Sequence, residues 1–345
     1  MNDSPLYIHG HGAVSSAGCG SAALHRAVAG GDAIPVEKIT REHGGKTLNY
    51  AHRPVDRAAL KSVLPKHPRL RRASDVTKFA VTAAHEAMGA ERAAKIRSRE
   101  LNIGVIVSFM NGCVNYTNRF FGEVLEDPSF ASPILFPETV FNAPASHLAT
   151  FLGCDGPVYT LIGDSATWFS AFGIAEEWIS GGLVDGCLIV CAEEIDWLTL
   201  EALDLYGRNL IATEGAAAIY VEANPSAIAI ANLNGPFCYT DAHERRTAIR
   251  EAWQTVEKSS ASLLIDGLSG SPRIDRDEKE ASTAYHGPRL SPAKILGEGM
   301  GVRCGLQTIA AITAIENGRE SAAILASGGN QHAFSVIVNS HPLNV

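Results

Sequence analysis

The sequence predicts an α/β protein, a mostly parallel sheet with helices on both faces, built in two similar halves. Strand-like and helix-like segments alternate through the N-terminal part, the pattern of a sheet whose helices cross over its faces. The stretch Asn102 to Phe109 is rich in Val and Ile without polar alternation, as expected when both faces of a strand are buried. After the turn at Asn224 and Pro225 the alternation starts again, which divides the chain into residues 1–223 and 224–345. With 345 residues there is room for one large domain or two closely joined ones, each with a sizeable core.

Taken in order, Leu6 to Val14 reads as a strand entering a Gly/Ser-rich turn, followed by a helix from Ser21 to Gly30. Residues 31–72 are polar and irregular, a surface excursion. Ser74 is placed as the N-cap of a long helix, with apolar residues at helical spacing behind it. The strand Asn102 to Phe109 comes next, then short helices over Asn115 to Asp127 and Pro137 to Leu152. A strand at Val158 to Ile162, a turn, a helix from Ser165 to Ser180, a strand at Cys187 to Ala192, a helix at Trp197 to Gly207 and a strand at Ala216 to Val221 complete the first half. The second half reads as a strand Ala227 to Leu233, a helix Arg246 to Lys258, a strand Leu263 to Ile265, helices over Asp275 to Ala284 and Val302 to Asn317, and strands Ala322 to Ala326 and Phe334 to Val338. The two halves share an order of elements rather than a sequence.

Composition narrows the function classes. There are 29 Lys and Arg against 37 Asp and Glu, a net charge of −8, which argues against nucleic acid or an anionic membrane surface as the main partner. Charged residues make up only 19% and apolar ones 46%, so much surface is expected to be buried, either inside or against another subunit, and an oligomer is the default. The seven cysteines are scattered, with no CxxC pair and no His at metal-ligand spacing, so neither disulfides nor a structural zinc is expected. No apolar stretch reaches the length of a membrane span and no basic head precedes one, so a cytoplasmic protein without a leader is expected.

The segment most informative about chemistry runs from Tyr159 to Ala175. A buried strand ends in the turn Gly163-Asp164-Ser165, and Ser165 falls at the start of an Ala-rich helix, where the helix dipole favours developing negative charge. This is the layout of a nucleophile elbow; an ordinary N-cap serine fits the same residues.

Over nearly its full length the chain resembles the β-ketoacyl-acyl-carrier-protein synthases of the thiolase superfamily. GHGAVSSAG is similar to that family's opening strand and turn, and the run from Phe141 through Glu194 to its nucleophile region. The strand from Glu214, the loop SGSPRIDRDE, the segment ILGEGMGVRCGLQTIAAITAIENG and the final SGGNQHAFSVIV are similar to later family motifs, in the family's order. The resemblance implies a thiolase-like fold of layered α-β-α-β-α architecture. It also implies a Cys at the elbow and two His residues, and this sequence departs at all three: Ser165 stands at the elbow, Gly267 or Asp266 at the first His position, and Glu298 at the second.

Those departures weigh against decarboxylative condensation by this chain alone. A helix N-terminus brings a cysteine toward its thiolate, whereas a serine needs an adjacent base. An ionised Glu298 would oppose a developing oxyanion instead of donating to it. His332, in the glycine loop, and His147, on the helix before the elbow, are the alternative bases, each also readable as an ordinary satisfied histidine. Asp275 and Glu278 read as helix-anchoring carboxylates, Cys187 and Cys191 as small apolar residues of a strand, and Cys113 as a packing residue near the family's substrate channel.

Among synthase-like proteins the pattern resembles the chain length factors, inactive partners that pair with an active synthase as heterodimers, and within them those of aryl-polyene or polyene systems. The resemblance implies that Val158 to Ile162 pairs across the two-fold axis and that Phe109, Met110, Tyr116, Phe136 and Phe141 are candidate tunnel walls; plain core is the other reading of those five. It implies no cofactor or metal, and an acyl carrier protein handled mainly by the partner. The competing expectation is a Ser165-dependent acyltransferase or thioesterase on the same fold, which requires an imidazole within hydrogen-bond reach of Ser165 Oγ.

Overall fold

A computed structural model of the protein describes residues 5–207, 210–326 and 331–341. The first half contributes β1 (Leu6–Ser15), β2 (Ile103–Phe109), β3 (Val158–Ile162), β4 (Gly186–Glu193) and β5 (Gly215–Glu222) to the main sheet. The second contributes β6 (Ile228–Cys238), β7 (Leu264–Ile265), β8 (Arg289–Leu290), β9 (Ser321–Ala326) and β10 (His332–Ser340). Their order across the sheet is β8-β7-β9-β10-β6-β1-β5-β4-β2-β3. From the middle outward each half therefore runs first strand, fifth, fourth, second, third.

The directions repeat as well. β1–β5 and β5–β4 are antiparallel while β4–β2 and β2–β3 are parallel; β6–β10 and β10–β9 are antiparallel while β9–β7 and β7–β8 are parallel. The halves meet where β1 and β6 pair antiparallel through Leu6↔Ile230 and Tyr7↔Ala229. The sheet is thus mixed, not mostly parallel as the sequence predicts. A wholly apolar strand reports that both faces are covered, and helices cover both faces here whichever way the neighbouring strand runs.

The principal helices are α1 (Ser21–Gly30), α2 (Asp75–Arg97), α3 (Val114–Glu126), α4 (Ala143–Leu152), α5 (Thr167–Ser180), α6 (Trp197–Tyr206), α7 (Ala242–Lys258), α8 (Pro272–Ala281) and α9 (Arg303–Glu316). Three apolar clusters define the layers. Residues of α2 and α4 pack on one face of the first half-sheet, and residues of α7 pack on one face of the second. Between the half-sheets lie α5 and α9, whose Trp168, Phe169, Phe172, Ile309 and Ile312 meet strands of both halves. The result is the α-β-α-β-α layering. Every residue of α9 from Arg303 to Ile315 is buried. Gly305 lets that helix close on β4 and β5, because a Cβ there would run into the Cys191 sulfur and the Ala217 side chain.

Several elements differ from their predicted form. The stretch 31–72 is ordered: Glu37–His43 and Lys46–Arg53 form a hairpin, and a helix over Arg57–Val63 follows, N-capped by Asp56 through Ala58 and Ala59 N–H. The hairpin's apolar signal is thin because only its Ile39, Leu48 and Tyr50 reach a core, a small one shared with Leu200 and Leu203 of α6, while Val55, Leu60 and Leu70 after it join the cluster under α2. The helix expected from Pro137 is a 3-10 turn over Phe136–Glu138, and α4 starts only at Ala143. Pro144 has no N–H to donate to the preceding turn, so it fits a helix start and not an interior. Ser74 does cap α2, accepting from Thr77 N–H, and the helix breaks at Gly89, where Arg92 donates to the freed carbonyls of Ala87 and Met88.

Candidate functional site

The elbow is built where β3 stops. Gly163 N–H bonds the carbonyl of Phe109 at 3.0 Å, which turns the chain off the sheet, and α5 begins at Thr167. Ser165 therefore sits just ahead of the helix and not in its first turn. Asp164 anchors the turn from below: Oδ1 accepts from Ala166 N at 3.1 Å, and Oδ2 accepts from Gln331 N at 2.9 Å and His332 N at 3.2 Å. One carboxylate thereby ties the elbow of the first half to the strand β10 of the second.

Ser165, Glu298 and Gly267 converge on one guanidinium, while Asp266, the other candidate for the first His position, is bonded by Ser291 and Arg289 instead. Arg303, the first residue of α9, is 2% exposed. Its Nη2 donates to Ser165 Oγ at 3.1 Å, and its Nη1 donates to Glu298 Oε2 at 3.1 Å and to the Gly267 carbonyl at 3.4 Å. Burial is the largest single effect and would lower the guanidinium pKa, but the acidic groups around it, Glu298 first, together outweigh that, and Arg303 stays charged above its ordinary range. Its Nε–H is buried with no partner among the described residues. Glu298 Oε1 accepts from Met300 N at 2.9 Å. A second group beside Ser165 is the Cys304 thiol, whose pKa burial pushes up to about 12. Neither neighbour is a base: one is a held cation, the other a thiol kept protonated.

Behind this cluster, Glu193 at the end of β4 is wholly buried and accepts from Met110 N at 3.0 Å, Asn111 N at 3.1 Å and Gly301 N at 3.2 Å. Gly301 is required there, since a Cβ would fall on the Glu193 carboxylate. Glu194 accepts from Val76 N at 2.9 Å and Asn115 N at 2.9 Å. A cavity of about 240 Å³ opens onto the elbow. Asn111, Asp164, Ser165, Thr199 and Glu298 supply its polar lining, and Met110, Leu203, Tyr206, Ile274 and Met300 much of its apolar wall.

The remaining expected site residues fall in three environments. His332 is not on Ser165: its Nδ1 lies 3.3 Å from Asp164 Oδ1. His147 is paired with Glu138, Nε2 to Oε1 at 2.8 Å, away from the elbow. Among the described residues no imidazole hydrogen-bonds Ser165. Gly267 N–H donates to Glu278, and Asp275 accepts from Ser269 and Gly270 N–H, so both carboxylates of α8 hold the loop that carries Gly267. Of the five candidate tunnel residues, Met110 lines the cavity and Phe109 is core. Tyr116 donates its hydroxyl to the Arg72 carbonyl at 3.0 Å, Phe136 is exposed, and Phe141 lies over Gly112 at the surface. Cys113 is buried with its thiol pKa raised to about 12 by burial, and Cys187 and Cys191 are buried in β4. The glycine loop over 327–330 lies outside the described residues.

Arg303, Asp164 and Glu193 are absent from the residues the sequence singles out. A strand that ends in an acidic residue is the signal that could have found Glu193. An arginine opening a long helix carries no such signal, because that position usually faces water.

The layered duplicate of five-stranded half-sheets, with an elbow between strand and central helix, defines a thiolase-like protein. The model of the β-ketoacyl synthase N-terminal domain matches residues 40–220, more than half of the chain, and the protein belongs to the β-ketoacyl synthase family. No curated relative matches the sequence. Among solved structures, the ishigamide ketosynthase/chain length factor aligns with a TM-score of 0.79 at 17% identity, over 98% of this chain and 100% of that one. The ketosynthase ApeO in complex with its chain length factor ApeC, from Xenorhabdus doucetiae, aligns with a TM-score of 0.79 at 13% identity, over 98% of each chain. A type II polyketide synthase acyl-carrier protein in complex with its ketosynthase, AntDE:AntF, aligns with a TM-score of 0.77 at 13% identity, over 98% of this chain and 100% of that one. At these identities the likeness is one of fold. No helix among the described residues is long and apolar enough to cross a membrane.

Proposed function

We propose that this chain is a non-catalytic subunit, a chain length factor, which pairs with an active β-ketoacyl synthase as a heterodimer and helps to shape the acyl tunnel during chain elongation on acyl carrier protein. One observation carries the reading: among the described residues, Ser165 has a guanidinium and a protonated thiol beside it and no imidazole bonded to it, which leaves it without the base a serine nucleophile needs. In this reading the condensing chemistry and most of the carrier-protein contact belong to the partner, and no cofactor or metal is called for. The fold likeness to structures described as ketosynthase/chain length factor assemblies supports it. The exposed apolar edge strand β3 supports it from the surface side. We further assign residues 1–223 and 224–345 as the two thiolase-like halves, and the cytoplasm as the place of work.

Co-expression with an intact synthase carrying Cys and two His tests the proposal. The expected result is a stable one-to-one complex whose elongation activity survives Ser165→Ala. Met110→Trp, which fills part of the cavity wall, shortens the product. A self-sufficient homodimer that the synthase ignores, or a Ser165 acyl adduct seen by intact mass after incubation with an acyl-carrier-protein thioester, sinks it.

A further inference from the structure

We infer that Ser165 is kept as the hydrogen-bonding ligand of Arg303, and that this guanidinium clamps the elbow of the first half to Glu298 and Gly267 of the second. Arg303 lies in the central layer with its charge out of water, so its N–H groups must find acceptors inside the protein. Glu298 supplies the countercharge and Gly267 a carbonyl on the Nη1 side. On the Nη2 side the acceptor is the hydroxyl of residue 165. Alanine there would leave Nη2 without that bond, and a cysteine sulfur is a weak acceptor. Serine therefore fits a buried cation rather than acyl transfer. The elbow turn, the loop carrying Gly267, the turn from Glu298 to Met300 and the start of α9 become one unit, and Asp164 adds a second tie from the same turn to Gln331 and His332. The inference rests on this hydrogen-bond geometry and holds whether or not the chain pairs with a synthase.

Two measurements on the full chain test it. The first is a double-mutant cycle in denaturant, with Ser165→Ala made in the native background and in Arg303→Met/Glu298→Gln, which removes the ion pair without orphaning a carboxylate. Losing a hydrogen bond to a buried charge is expected to lower the folding equilibrium constant about tenfold in the native background and by less than about threefold in the other. Ser165→Thr, which keeps the hydroxyl, should restore it to within about twofold of the native chain. Equal losses in both backgrounds overturn the inference.

The second uses Ser165→Cys and follows alkylation of that cysteine by iodoacetamide against pH, with the site read by peptide mass. Arg303, Cys304, Asp164 and Glu298 face or flank residue 165, and His332 reaches it through Asp164, so the comparison between backgrounds is the readout. Burial raises the midpoint in both backgrounds, and the guanidinium lowers it in one, so the midpoint in Arg303→Met/Glu298→Gln should lie about one pH unit or more above that with Arg303 present. Coincident midpoints mean that the guanidinium does not engage residue 165.

Discussion

Glu193 and Glu194 end β4 with both carboxyl groups withdrawn from water and with backbone N–H groups as donors: Met110, Asn111 and Gly301 for the first, Val76 and Asn115 for the second. Burial is the larger effect in each, raising Glu193 to about 8 and Glu194 to about 7 against the N–H donors that pull the other way. Both folded values lie above the roughly 4.3 of an unfolded glutamate, so the folded state binds more protons than the unfolded one in between. Their contribution to stability is full below that lower value and is lost as pH rises through about 7 and then about 8. Urea midpoints should fall between pH 5.5 and 8.5, and Glu193→Gln should flatten the slope while lowering the midpoint at the acid end, because an amide N–H₂ faces N–H donors. An unchanged slope in that variant would assign the pH dependence to other groups. At the same scale, Arg303→Met alone should cost about 3–5 kcal/mol by leaving Glu298 buried without its countercharge. Adding Glu298→Gln should recover much of that loss, and chemical denaturation of both variants reads the difference. The sequence sets Ser165, Gly267 and Glu298 apart as departures from the motif it resembles. What they depart to is not legible there, since Arg303 meets them only after three distant segments are folded together.

Elements were legible where periodicity and caps agreed. Ser74 marked the start of α2 because a hydroxyl stood just ahead of a helical apolar stripe, and the hydroxyl does accept from Thr77 N–H. Ser74→Ala should therefore cost about 1 kcal/mol, read as a lowered thermal midpoint with the helix retained. The hairpin over Glu37–His43 and Lys46–Arg53 was illegible because its outward residues are polar and few inward ones touch apolar partners. Strand direction was illegible for the reason that burial on two faces is blind to it. The strand β3 shows a different gap between pattern and placement. Its sequence reads as a buried strand, yet it lies at the end of the sheet, with Tyr159 51% and Ile162 57% exposed. An apolar edge without charge or proline to blunt it is a template for pairing with another chain. Ile162→Lys should leave the stability of the isolated chain within about 0.5 kcal/mol, since the side chain is surface in the monomer. The same substitution should abolish association, which sedimentation velocity measures; a variant that still associates would place the interface elsewhere.

On the scale of the whole molecule, the two ends of the sheet differ in a way that gives association a direction. β8, at the far end, is a two-residue strand whose Arg289 also bonds Asp266 and Ser282. At the other end β3 is longer and bare. Phe121 and Leu125 of α3, and Phe130, Ile134 and Phe136 in the connection that follows, are exposed as well. With 19% charged residues, this much uncovered apolar surface is of the kind that marks an interaction site and supports the proposed pairing. In the proposed reading that partner is a different, catalytically intact chain of the same fold. Binding to the folded form alone stabilises it by mass action, about 2.7 kcal/mol when the partner stands at a hundred times Kd. Added intact synthase should therefore raise the thermal midpoint of this chain by a few degrees, in proportion to the logarithm of its concentration. Ile162→Lys should remove the rise while leaving the midpoint of the isolated chain in place. If the synthase shifts neither the midpoint nor the sedimentation of the native chain, the exposed end of the sheet serves some other association and the heterodimer proposal falls.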